Sequence, residues 1–280
     1  MNKINRIIDY CSCILFSISL IVLFGCLAVL PIAKSKRFYM KEHQKNNVED
    51  ILETKSFNGI QHYCTNVAGE YVLHTLPKYD VTQTDIENAT NHIIDYLYHE
   101  EVESMQFQIE TTEGSIDFFS EQAIIHMADV KVLFIGGIKM TFTFLAIFLL
   151  SLGWIIYRNN HITKLLGKTY FICVGIFIAL TILVMIYALH DFDEAFVLFH
   201  KIIFPNSDKV DLALSFNNCD TLTNILTGDF FMHIGLYIGI LFISLLIISV
   251  LIDYIFYKFG NKIISLWKKT DKKKEKCEFE

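Results

Sequence analysis

The sequence predicts an integral membrane protein, mainly α, in which four transmembrane helices carry an extracellular α+β cap. Three observations lead there. Four apolar runs approach or exceed the ~20 residues that a spanning helix needs, in a 280-residue chain that is 53% hydrophobic with a mean hydropathy of +0.40. Two polar inserts, 34–131 and 190–229, follow the first and third runs. Lysine and arginine gather on the remaining segments, which four spans would place together on the opposite face.

The first run, 7–33, follows a short basic start and contains a single acidic residue, Asp9. Leu23-Phe24-Gly25-Cys26 is similar to a lipoprotein cleavage box, but the apolar run continues to Ala33. That is longer than the core of a signal peptide and points to an uncleaved helix. The first insert is acidic. Within it, Thr84-Asp85-Ile86-Glu87 reads as a capping box, and Ile86, Ala89, Ile93, Ile94 and Leu97 follow at helical spacing. Met105, Phe107 and Ile109 alternate with polar residues, and a turn at Thr112-Glu113-Gly114-Ser115 leads back through Ile116 and Phe118, the pattern of a β-hairpin. Ser120 is then placed to cap a helix, with Glu121 favourable in its first turn.

The second run is 132–157. From Met140 to Tyr157 the helix would be ~27 Å long, so Lys139 is expected to mark the outer surface and snorkel to it. A straight helix would hold His126 ~20 Å above Lys139. A bend at Gly136-Gly137 is expected to bring it down. A basic loop, 158–168, joins this run to the third, 169–189. The second insert leads to the fourth run, 230–257, where Gly235 and Gly239 are read as chance spacing in a long apolar helix rather than a packing motif. The tail, 258–280, carries eight lysines. By the positive-inside rule the amino end, the 158–168 loop and the tail are cytoplasmic and both inserts are outside.

Cys11, Cys13, Cys26 and Cys173 lie in apolar runs, as buried thiols do. Cys64 and Cys219 lie one in each insert and could pair, although sequence does not reveal their separation. No basic aromatic surface suggests nucleic acid. GxSxG, HExxH and glycine-rich phosphate loops are absent from the sequence.

Two segments that abut membrane runs stand out: FFSEQAIIHMADVK at 118–131 and DFDEAFVLFHKIIFP at 191–205. A lone histidine at a membrane interface is most often a packing residue, and a phenylalanine stripe most often meets lipid or protein. Here each segment carries one histidine, His126 or His200. Asp129, three residues after His126, shares its helix face and is placed to accept an imidazole N–H and fix the tautomer. On a helix starting near Asp191, Phe192, Phe196, Phe199, His200 and Ile203 form one stripe. Desolvation there keeps an imidazole neutral and basic. Two histidines facing one substrate can serve as base and acid. The residues leave open a metal site of His126, Asp129 and His200 in a membrane hydrolase. They also leave open a non-enzymatic lipid- or peptide-binding cap with histidines as pH sensors.

Together these segments resemble the lipoprotein intramolecular transacylase family of Gram-positive bacteria, membrane proteins with four helices and an extracellular cap. His126, Asp129, Val130 and Lys131 fit the family's Glu-x-x-x-His-Met-x-Asp-Val-Lys-like segment, with Glu121 five residues before His126. Phe199, His200, Phe204 and Asn206 fit its Phe-His and Phe-x-Asn elements. Val210 stands where the family usually has Trp, and Ile225-Leu226-Thr227-Gly228 where it usually has Pro. The resemblance implies an acyltransferase that moves the sn-2 acyl chain of a diacylglyceryl-modified lipoprotein to the cysteine α-amino group, giving the lyso-form. It implies His126 and His200 as catalytic residues, oriented by Asp129, Glu121 and Asn206. Phe192, Phe196, Phe199 and Phe204 would line the acyl pocket. Membrane phospholipid would surround an enzyme of the bacterial cytoplasmic membrane that needs neither cofactor nor metal.

Overall fold

In hydrocarbon a chain must satisfy its own backbone polar groups, and a long apolar run does so as a helix. The computed structural model describes residues 3–65, 71–111, 114–158, 162–204 and 206–277. In chain order the elements are α1 (Lys3–Ala33), α2 (Lys36–Lys45), α3 (Val48–Lys55), β1 (Gln61–Thr65), β2 (Tyr71–Thr75), α4 (Gln83–Tyr98), β3 (Gln108–Thr111), β4 (Gly114–Asp117), α5 (Glu121–Arg158), α6 (Thr163–His190), α7 (Phe192–Ile203), α8 (Ser207–Leu214), α9 (Thr221–Ile225) and α10 (Gly228–Cys277). Helices α1, α5, α6 and α10 are long and apolar enough to cross a membrane. The chain forms two compact units: one holds the chain up to Gly25, 144–181 and 240 onward, the other 26–143 and 182–239.

In the first unit Ile21, Tyr170, Val174 and Leu246 are buried together. Asp9, the one acidic residue of the first apolar run, is buried there as well. It accepts hydrogen bonds from Trp154 Nε1 at 3.1 Å and from Arg158 Nε and Nη2, each at 3.0 Å. A carboxylate among apolar side chains is tolerated only when so paired. Arg158, expected in a loop, is therefore the last residue of α5 and half of an ion pair.

The second unit has the larger core. One face of α4, formed by Ile86, Ala89, Ile93 and Leu97, packs with Leu52, Met105, Phe118, Ala123, Met127 and Ile225. The capping box of α4 lies two residues earlier than expected. Thr82 accepts from the Asp85 backbone N–H, and the Asp85 carboxylate accepts from the Thr82 backbone N–H at 2.9 Å. Two overlapping boxes exist in the sequence, and Glu87 of the other one pairs with Lys36 instead. Strands β3 and β4 form the expected hairpin with Ile109 opposite Ile116; the turn residues Thr112 and Glu113 lie outside the described residues. A second antiparallel hairpin, β1–β2, was not anticipated. Gly59 leads into it at φ +73°, and a Cβ there would stand 2.6 Å from Lys78 Cβ, so only glycine fits. Cys64 of β1 forms a disulfide with Cys219, which joins the two inserts.

Helix α5 runs unbroken through Gly136 and Gly137, so the expected bend is not marked by any interruption of the helix. A Cβ on either glycine would meet nothing within 4 Å, so neither serves a close approach. At Gly239 a Cβ would lie 2.7 Å from Met185 Sδ, the far end of a flexible side chain, and at Gly235 it would meet nothing within 4 Å. Helix α10 also continues through the lysine-rich tail.

His43 on α2 is buried, with Nε2 3.0 Å from Thr90 Oγ1. The Thr90 hydroxyl donates to the Ile86 carbonyl at 2.7 Å, so it accepts from His43 Nε2–H. Burial pushes this imidazole down to about 4, against ~6.5 in an unfolded chain. The unfolded chain thus binds the extra proton first. Stability is full above pH ~6.5 and is lost as pH falls towards about 4, a contribution of about 3 kcal/mol. Urea unfolding of wild type and His43→Gln should show a stability difference that shrinks across that window; a difference independent of pH would contradict the assignment.

Candidate active site

Two helix starts place the two histidines. Ser120 opens α5, accepting the Ala123 backbone N–H on Oγ at 3.1 Å. Ala123 and Met127, four apart, turn into the core, and His126 between them is left half-buried beside it. Asp191 opens α7 by accepting the Glu194 backbone N–H at 2.9 Å. Phe192, Phe196 and His200, also four apart, then share one face, and His200 is buried.

The imidazoles of His126 and His200 face each other with ring centroids 6.1 Å apart and planes 29° from parallel. Phenylalanines enclose them. Phe204 is 5.8 Å from His126 and 6.0 Å from His200. Phe216 is 5.5 Å from His126. Phe196 and Phe199 are 4.2 and 5.5 Å from His200. Phe192 stands one turn away against Phe196. His200 Nδ1 lies 2.8 Å from the Phe196 carbonyl oxygen. A carbonyl only accepts, so Nδ1 carries the proton of the neutral ring and Nε2 keeps its lone pair. Burial holds the His200 pKa below the usual imidazole value, the carbonyl bond opposing this in part. Two adjacent imidazolium ions would also repel each other. The arrangement therefore suits neutral rings, one of them with a tautomer fixed by the backbone.

The residues expected to orient the histidines do other work. Asp129 shares the face of His126, but its Oδ1 takes an ion pair from Lys209 of α8. Among the described residues it forms no hydrogen bond with either histidine. Asn206 Oδ1 accepts the Asp208 backbone N–H at 3.0 Å and so starts α8. Glu121 is exposed at the first position of α5. Lys131 donates to the His99 and Val102 carbonyls at 2.8 and 2.5 Å, fastening the end of α4 to α5. Val210 is buried on α8. Among the described residues no three His, Cys, Asp or Glu side chains converge as a metal site would require. Phe216 and Lys209 were not anticipated, since Phe216 lies in an irregular stretch and Lys209 is one lysine of many. The nearest signal was Cys219, whose bridge to Cys64 fixes the stretch holding Phe216.

The profile of a family described as lipoprotein intramolecular transacylase Lit matches residues 13–231. No curated protein matches the sequence. Solved structures of a membrane-integral lipoprotein intramolecular transacylase Lit from Bacillus cereus are similar in fold. One has a TM-score of 0.65 at 18% identity, covering 92% of this chain and 98% of the other. Two forms carrying a histidine substitution have TM-scores of 0.61 at 17% and 18% identity; each covers 94% of this chain, and 96% and 98% of theirs.

The Phe196 carbonyl makes a spectroscopic prediction. In protein with nitrogen-labelled imidazoles, neutral His200 should show the Nδ1–H tautomer and should protonate only below the ordinary imidazole range. The Nε2–H tautomer, or titration at or above that range, would contradict the geometry.

Proposed function

The chain belongs to the lipoprotein intramolecular transacylase family, and from that premise we propose that it moves the sn-2 acyl chain of a diacylglyceryl-modified lipoprotein to the α-amino group of the modified cysteine. The observation that supports this most is the facing pair of imidazoles in a phenylalanine shell. Acyl transfer to an amine needs no protein nucleophile, only a proton acceptor, a donor to the oxyanion and protection from water. The amine nitrogen attacks the ester carbonyl. His200 Nε2 takes the proton from that nitrogen and returns it to the glyceryl oxygen as the carbon–oxygen bond breaks. His126 donates an N–H to the oxyanion. One carbon–nitrogen bond forms, one ester bond breaks, and the proton passes from nitrogen to oxygen. Phe192, Phe196 and Phe204 line the acyl chain, joined by Phe216, and keep water from intercepting the ester, while Phe199, more than half exposed, borders His200 from the open side.

Amine and ester belong to one molecule. Their adduct closes a medium-sized ring through sulfur and the glyceryl carbons, with many rotors to freeze. A shaped pocket imposes that arrangement beforehand. Asp129, paired with Lys209, holds α8 against α5, and Asn206 fixes the start of α8. These residues act on the histidines by placing the elements around them.

The test mixes two lipopeptides, one with isotope-labelled acyl chains and one with a labelled peptide, and adds purified protein. Product should form in which chain and peptide labels never cross, and His126→Ala or His200→Ala protein should form none. Crossed labels, or an acyl group trapped on the protein, would reject intramolecular transfer in favour of a ping-pong acyltransferase.

In the same reading the inserts 34–131 and 190–229 face outwards from the bacterial cytoplasmic membrane, and 158–168 and the tail 258–280 face the cytoplasm. The distribution of lysine supports this. A membrane-impermeant thiol reagent added to intact cells after reduction should label Cys64 and spare Cys277. Labelling of Cys277 alone would reverse the orientation.

A further inference from the structure

Helix α7 falls in the polar insert, yet one side of it presents apolar surface. Leu198, Phe199 and Ile202 are 45, 55 and 69% exposed. They sit at i, i+1 and i+4, a single stripe on a helix, while Phe196 and buried His200 turn the other way. A stripe of this size left to water marks an interaction surface.

What covers it is argued from continuity. Asp191 alone separates α7 from α6. The last turns of α6 are equally apolar and open, Leu189 being 58% exposed. On α5, Ile125 beside His126 and Val132 are 49 and 70% exposed. A patch that docks a protein partner has an apolar centre and a polar rim. This one continues from the membrane-crossing face of α6 across only His190 and the capping residue Asp191. The charged residues of α7 agree with an interfacial position. Asp193 and Glu194 are confined to its first turn, and Lys201 lies in its last turn beside the stripe, where a long side chain can snorkel to water.

We propose that α7 is an interfacial helix whose Leu198–Phe199–Ile202 stripe is immersed among the acyl chains of the surrounding phospholipid. Such helices sink their apolar face ~5–10 Å into the headgroup–acyl boundary. Each histidine follows an outward apolar residue, Ile125 or Phe199, so the imidazole pair works below the headgroup charges, not in an aqueous cap. The second insert then enters the membrane before it reaches water, and its polar part starts after α7.

The test needs no activity, so its failure is separate from failure of the transacylase reading. Nitroxides are placed by Leu198→Cys, Ile202→Cys and Glu194→Cys in protein whose free cysteines are replaced by alanine and whose Cys64–Cys219 bridge is kept. The protein is reconstituted in phosphatidylglycerol–phosphatidylethanolamine vesicles. At the first two sites collision with oxygen should exceed collision with a water-soluble nickel chelate several-fold, and at Glu194 the order should reverse. Dominant nickel collisions at Leu198 and Ile202 would place the stripe in water. Weak collisions with both would place it against protein, either a second copy or part of this chain. Either result overturns the proposal. Wild-type protein in vesicles containing phosphatidylglycerol with a diazirine on its acyl chain provides a second measurement. Adducts should map to the α7 peptide as well as to α6, and adducts on α6 alone would overturn the proposal.

Discussion

One buried carboxylate holds the second unit in register. Asp220 accepts from Ser120 Oγ at 2.5 Å and from the Leu222 backbone N–H at 2.8 Å. Ser120 is the cap of α5, and Asp220 is itself the cap of α9. A single side chain therefore joins the starts of two helices that lie a hundred residues apart in sequence. Thr221 Oγ1 donates to the Phe118 carbonyl, Asn224 reaches Ser56 Oγ at 2.9 Å, and Cys219 is bonded to Cys64. Burial pushes the Asp220 carboxyl above the usual range, while its hydrogen bonds oppose this. Without the knot, α5 would have no fixed start and Phe216 no fixed place beside His126.

Burial narrows what the imidazoles of the site can be. An imidazole in water chooses freely between charge states and tautomers. His200 has surrendered both choices, to phenylalanine rings on several sides and to one backbone carbonyl. Desolvation penalises the charged form, and that penalty leaves a basic lone pair at neutral pH, as general-base chemistry requires. His43 is a structural counterpart. It too is buried, but its Nε2–H is spent on a threonine hydroxyl and Phe230 stacks on its ring.

How far this could be read from sequence varied with the physics involved. The four long helices were legible because hydrocarbon permits few alternatives, and only their ends moved, α6 beginning at Thr163 and α10 reaching Cys277. The face of α4 was legible from its period, although its cap was not, because Thr82 and Thr84 each begin a valid box. Hairpin β1–β2 was missed: Tyr63, Tyr71 and Leu73 lie exposed on one face, so the usual alternation of apolar inside and polar outside is absent. The histidine segments were recognisable as motifs, and their meeting is a fact of tertiary structure. Spacing suggested that Asp129 would bond His126, but spacing within one helix is blind to Lys209 arriving from another.

The Cys64–Cys219 bridge also has a meaning in time. Its cysteines are 155 residues apart, and at ~5–20 residues per second a ribosome takes roughly 10–30 s to travel from one codon to the other. During that interval α5 and α6 are made while Cys64 of β1 awaits Cys219. Phe216, three residues before the second cysteine, arrives in the same late instalment, and so do Asp220 and α9. The aromatic wall around His126 is thus completed only once the second insert has been made, and a nascent chain that stalls before that insert carries its first histidine without a partner.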